Sequence, residues 1–186
     1  MKNWILLFCT MCSILYAQTV CAFEVFGVKL GEENTVTRCQ KKSQYEIINN
    51  PKQTCFEETQ YWSALRLSEN DRPSYINGDI ELVVVDNKIE GLRFAIFPDL
   101  FKDVHDAFVI KFGKPSSFTE NSVTNSFGAS FDNPVALWKT EAVEVSLGKR
   151  GRKGRITEGE AIIETRKAAN MHDQERQIEK NKGLKL

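Results

Sequence analysis

Only two histidines occur in the 186-residue chain, His105 and His172, and neither has the neighbours that acid–base or metal chemistry requires. His105 stands beside Asp106 in a helix-patterned stretch, and adjacent helix positions do not face each other. It reads as an ordinary surface or boundary histidine, and His172 lies in a polar C-terminal stretch. There is no Gly-x-Ser-x-Gly elbow, His-Glu-x-x-His zinc motif, Gly-rich phosphate loop or calcium loop. Ser, Asp and Glu are abundant, so a dispersed carboxylate pair is the one route left to hydrolysis. The sequence therefore points to a protein that is not an enzyme and carries no catalytic residue, metal or cofactor.

The densest charge is Lys149-Arg150-Gly151-Arg152-Lys153-Gly154-Arg155, five cations between two strand candidates. Arginines in such a turn suit phosphate and carboxylate partners through bidentate hydrogen bonds. A lipid, lipopolysaccharide or cell-wall polyanion, or an acidic protein, would fit. A solvated loop balanced by Glu158, Glu160 and Glu164 fits as well. No aromatics interleave with the cations, which argues against single-strand nucleic-acid binding. Tyr61 and Trp62 are candidates for a protein interface, because large aromatics anchor binding patches. Trp138 lies in an apolar strand pattern and is expected in the core.

Five cysteines divide by position. Cys9, Cys12 and Cys21 fall in an N-terminal segment that reads as an export signal: Lys2, an apolar run Ile5–Ala17, then Val20-Cys21-Ala22. A membrane span needs roughly 20 apolar residues, more than this run supplies before Gln18. Cleavage is expected after Ala22, with Ala17 as second choice and an uncleaved anchor as the alternative. Cys39 and Cys55 remain, and an even count in an exported chain implies a disulfide. The expected compartment is a bacterial periplasm, or the outside of the cell.

Residues 1–22 carry one Lys and no acid, so the rest of the chain holds 24 basic against 25 acidic side chains. That balance excludes general nucleic-acid binding, which uses a strongly basic surface. Twelve Phe and three Trp are enough for a folded core rather than a disordered chain.

The elements that would position these residues follow from periodicity. Phe26, Val28 and Leu30 alternate as a strand ending at Gly31, and Asn34 or Thr35 can cap a short helix through Cys39. Asn49-Asn50-Pro51 is a turn, Phe56–Leu67 is extended, and Ser68–Gly78 is a loop. Ile80, Leu82 and Val84, then Leu92, Phe94 and Ile96, flank Asp86-Asn87-Lys88 as a hairpin. Pro98-Asp99 opens a helix with Leu100, Val104, Ala107, Phe108 and Phe112 on one face, stopped by Gly113 and Pro115. A Ser/Thr/Asn-rich loop follows, then strands over Ser126–Phe131, Val135–Thr140, Ala142–Leu147 and Glu160–Thr165. Residues 166–186 form a charged tail, expected as a loosely docked helix fraying at its end.

The expected fold class is α+β: two helix-plus-antiparallel-meander units, 23–97 and 98–165, sharing a sheet within one domain of residues 23–165. Val28-Lys29-Leu30-Gly31 before the first helix and Lys111-Phe112-Gly113-Lys114-Pro115 after the second carry a resemblance. They resemble the helix-plus-meander unit of outer-membrane assembly lipoproteins of the SmpA/OmlA type, and of beta-lactamase inhibitory proteins, which hold two such units in tandem. The chain departs from the lipoproteins in lacking a lipobox around Cys21. The resemblance implies an exported protein that binds another envelope or secreted protein, as an inhibitor, an immunity protein or an assembly accessory. The competing expectations are a polyanion binder acting through residues 149–155 and an envelope hydrolase.

Overall fold

The computed structural model describes residues 23–40, 51–58, 63–151 and 155–183. The expected signal segment, Asn49-Asn50, Tyr61, Trp62, Arg152 and Lys153 lie outside the described residues.

The first described element is a tight hairpin rather than the single strand expected over Phe26–Leu30. β1 (Phe23–Val25) and β2 (Val28–Leu30) pair antiparallel across Phe26 and Gly27, whose φ angles are 52° and 76°. Two positive φ values give the two-residue turn the twist of its flanking strands. Val25, Val28 and Leu30 are buried, and the Phe26 ring meets Phe94 edge-on at 5.6 Å.

The helix expected from Asn34 or Thr35 does not form. Asn34 Oδ1 accepts a hydrogen bond from the Val36 amide at 3.0 Å, a local turn that competes with helix. The chain then runs extended beside β3 (Cys55–Glu58). The Phe56 amide donates to Thr37 O at 2.8 Å, and the Cys39 amide donates to Phe56 O at 2.9 Å. The Cys39–Cys55 disulfide pins this crossing, with Cα atoms 4.9 Å apart.

A single eight-stranded antiparallel sheet makes up most of the protein. Beyond β3 it contains β4 (Ser63–Arg66), β5 (Ile76–Val85), β6 (Lys88–Ile96), β7 (Ser117–Thr124), β8 (Ser130–Lys139), β9 (Val143–Gly148) and β10 (Gly159–Thr165). Their order is β3-β4-β5-β6-β10-β9-β8-β7. Two four-stranded meanders meet through their last strands, Gly91–Ile96 pairing with Gly159–Glu164. The expected repeat of a helix before each meander holds only for the second. Among the described residues no helix precedes β3, and the protein is one continuous α+β sheet rather than two clear units.

The β5–β6 hairpin forms where expected, turning at Asp86 and Asn87 with φ of 51° and 62°. Its pairing shifts between Val83 and Val84, which leaves Val84 exposed despite the alternating pattern. After a 3₁₀ turn at Pro98–Leu100 comes α1 (Phe101–Phe112), ended by Gly113 at φ 78°. Phe101, Val104 and Phe108 are its buried residues, whereas Ala107 is exposed.

Two expectations beyond α1 change. The Ser/Thr/Asn-rich stretch expected as a loop is strand β7, and the strand expected at Ser126–Phe131 is a turn leading into β8. The C-terminal stretch forms α2 (Arg166–Gly183), docked through the buried Ala168 and Ala169.

The register explains the core. Leu65, Ile80, Phe94, Ala161, Leu147 and Ala136 stand side by side on successive strands, and all are buried. The β1–β2 hairpin and α1 cover this face, with Phe108 and Phe112 packed on Trp138. Side chains alternate between the two faces. Ile162 and Glu164 therefore point to the opposite face, where they meet Ala169 and His172 of α2. No described helix is long and apolar enough to cross a membrane.

Candidate functional site

Strand β8 is ten residues long, but β9 pairs only with its Val135–Lys139 half. The other half, Ser130–Pro134, pairs with Glu120–Thr124 of β7 and, among the described residues, has no second neighbour strand. The β7–β8 hairpin therefore projects past the sheet as a two-stranded arm. Its tip is Asn125–Ala129.

Asn125 organises that tip. Its Oδ1 accepts hydrogen bonds from the amides of Phe127 at 3.0 Å and Ala129 at 2.9 Å. The Asn125 amide donates to Ala129 O, and the Gly128 amide donates to Asn125 O, both at 3.0 Å. Asn side chains favour such turns, and Gly128 supplies the positive φ, 84°, that closes this one. Phe127 stands out from the tip, 93% exposed, the most exposed of the large apolar side chains described. A ring held on an ordered turn loses little freedom when it is buried by a partner.

The described part of the basic loop buttresses this arm. Lys149 Nζ meets Asp132 Oδ2 at 2.5 Å, and the Lys149 amide donates to Pro134 O at 3.1 Å. The Arg150 amide donates to Asn133 Oδ1 at 2.8 Å, and its guanidinium lies 5.6 Å from the Phe131 ring centre. Arg150 also donates to Ile156 O at 2.5 Å. Hydrogen bonding from Lys149, helped by the charge of Lys149 and Arg150, holds the Asp132 carboxyl below the usual aspartate range. Arg155 pairs with Glu158 at 2.7 Å. Three of the five cations singled out in the sequence thus have carboxylate partners within the protein.

The second histidine is better placed than its polar surroundings suggest. His172 Nδ1 lies 3.1 Å from Glu164 Oε2, in a cleft of about 290 Å³ between α2 and the sheet that Ser146, Glu144 and Arg176 also line. Nucleophilic catalysis needs a hydroxyl within hydrogen-bond reach of the base. No such bond joins Ser146 to His172 among the described residues. Glu164 also faces Arg93 at 3.7 Å, and Glu144 faces Arg166 at 3.1 Å and Lys139 at 3.3 Å. The arrangement can hold α2 on the sheet by compensated charge.

His105 sits among rings. Phe118, Trp138 and Phe101 lie within 6.2 Å of it, and its Nδ1 is 3.5 Å from Asp106. Trp138 is buried, as expected, and its indole N–H donates to Gly113 O at 2.8 Å. No cluster of three or more His, Cys, Asp or Glu suited to a metal occurs among the described residues.

The arm itself was not legible as a site. Its polar strands carry no alternation, and Phe127 looks like any phenylalanine in a Ser/Asn-rich stretch. The one available signal was Asn125-Ser126-Phe127-Gly128, a turn sequence with a large ring inside it. No family model, curated protein or solved structure matches the chain.

Proposed function

We propose that this protein is exported, resides in the periplasm or outside the cell, and acts without catalysis by binding another envelope or secreted protein through the tip of its β7–β8 arm. The carrying observation is Phe127, 93% exposed on a turn fixed by Asn125 and braced from behind by Lys149 and Arg150. An isolated ring on a projecting, ordered turn suits insertion into a pocket on a partner. Export is supported by the Ile5–Ala17 apolar run and by a disulfide, which persists in oxidising compartments. The meeting of two four-stranded meanders supports an origin in two half-units, 23–97 and 98–165, as in the beta-lactamase inhibitory proteins that the sequence resembles. Lys149 and Arg150 serve the arm and Arg155 pairs with Glu158, so we favour a protein partner over an anionic surface.

The test is affinity capture from native envelope extract with the wild type and with Phe127→Ala. Losing a buried aromatic anchor costs about 2 kcal/mol, or roughly 30-fold in affinity. The same partner should be captured strongly by the wild type and weakly by the variant. Equal capture by both would reject the arm as the binding element.

A further inference from the structure

The two edges of the sheet are treated differently. On one side β3 is four residues long, and the Thr37–Cys39 crossing occupies its outer side through two backbone hydrogen bonds and the disulfide. On the other side β7 is eight residues long, in unbroken register with β8 from Ser117 to Thr124. Among the described residues nothing pairs with its outer side. Proteins blunt such edges with lysine, proline, bulges or a covering segment. Ser117-Phe118-Thr119-Glu120-Asn121-Ser122-Val123-Thr124 has no Lys and no Pro, and its pairing shows no bulge. Glu120 is its one charge.

The sequence of this strand selects a partner. In a two-fold antiparallel pairing of two copies, the same sheet face of each copy lies on the same side, so residues directly opposite must share a face. The two-fold then passes through a single residue paired with itself. Within β7, only centres at Glu120 and Asn121 engage as many as seven residues. A centre at Glu120 sets two carboxylates against each other, which is unfavourable. A centre at Asn121 sets Glu120 opposite Ser122, Thr119 opposite Val123 and Phe118 opposite Thr124. Those are an acceptor with a hydroxyl donor, a β-branched pair, and a half-exposed ring gaining a neighbour.

We infer that β7 is a self-pairing edge, through which two copies of this chain join antiparallel about Asn121 to make a sixteen-stranded sheet. This association is independent of the partner that Phe127 takes. Edge pairing over one strand buries less than a standard interface, so the dimer belongs to the weak, reversible class. It is populated at micromolar and higher concentrations.

Directly opposed residues have Cα atoms about 4.5–5.5 Å apart, within disulfide range. Asn121→Cys, studied in protein with its native disulfide intact, should form a covalent dimer under mild oxidation. Ser117→Cys should not, because its opposite number is residue 125 and the two introduced cysteines stand roughly 26 Å apart at about 3.3 Å per residue. Sedimentation equilibrium should show a concentration-dependent dimer for the wild type. Asn121→Lys, which places two ammonium groups in contact, should weaken it at least tenfold without changing the thermal midpoint measured at a dilution where the wild type is monomeric. A wild type that stays monomeric at every concentration overturns the inference. So does equal trapping at positions 117 and 121, or a dimer that Asn121→Lys leaves intact.

Discussion

Replacing both disulfide cysteines with serine should cost about 3 kcal/mol of stability while leaving the fold in place. Cys39 and Cys55 are 16 residues apart in sequence. For a loop of that length the chain-entropy expression gives about 10 cal/mol/K, or about 3 kcal/mol at 25 °C. The loss resides mainly in the unfolded chain, which regains freedom when the link is cut. The native crossing keeps its two backbone hydrogen bonds between Thr37–Cys39 and Phe56, and Cys55 stays in a buried strand. Urea unfolding followed by tryptophan fluorescence is the assay, since Trp138 is buried against Phe108 and Phe112. With a slope of about 2 kcal/mol per molar urea, the midpoint should fall by roughly 1.5 M. The far-UV circular dichroism of the folded variant should match the wild type. A loss below about 1 kcal/mol, or a folded baseline that differs from the wild type, would refute the chain-entropy reasoning.

The contact between β10 and its neighbours gives a second expectation. A Cβ at Gly159 would stand 2.6 Å from Gly148 O and 2.8 Å from Lys149 O, both backbone atoms that cannot swing aside. Gly159→Ala should destabilise the protein by about 1–3 kcal/mol in the same urea assay, the range for an overpacked interior. The buttress of the arm should be sensitive to acid. Asp132 has a folded pKa held below its unfolded value by Lys149, so its contribution is present above the unfolded pKa and is lost as pH falls through the folded pKa. Backbone NMR should show Asp132–Pro134 and Lys149–Arg150 loosening together at acid pH, and Asp132→Asn should reproduce part of that loosening at neutral pH.

Sequence legibility followed burial. The β5–β6 hairpin, α1, the Val135–Lys139 half of β8, β9 and β10 were readable because one face of each packs on the core and leaves a period in the sequence. The helix expected at Asn34 failed because the same Asn that caps helices also closes local turns, and pairing with Phe56 drew the chain straight. Strand β7 was hidden for the opposite reason. Seven of its eight residues are exposed, so it has no buried face to leave a pattern. The disulfide was legible from cysteine arithmetic. The basic run at 149–155 was legible as a feature but not as a brace, because Asp132 and Phe131 lie far from it in sequence and only the β8–β9 register brings them close.

The most direct test of the central claim is photo-crosslinking in the native envelope from a reactive side chain placed at position 127, with position 110 as control. Ile110 is 88% exposed and belongs to α1 rather than to the arm, so it matches the exposure but not the element. A discrete adduct to one protein from position 127, absent from position 110, is the predicted result. The same adduct from both positions, or none from position 127, would contradict binding through the hairpin tip.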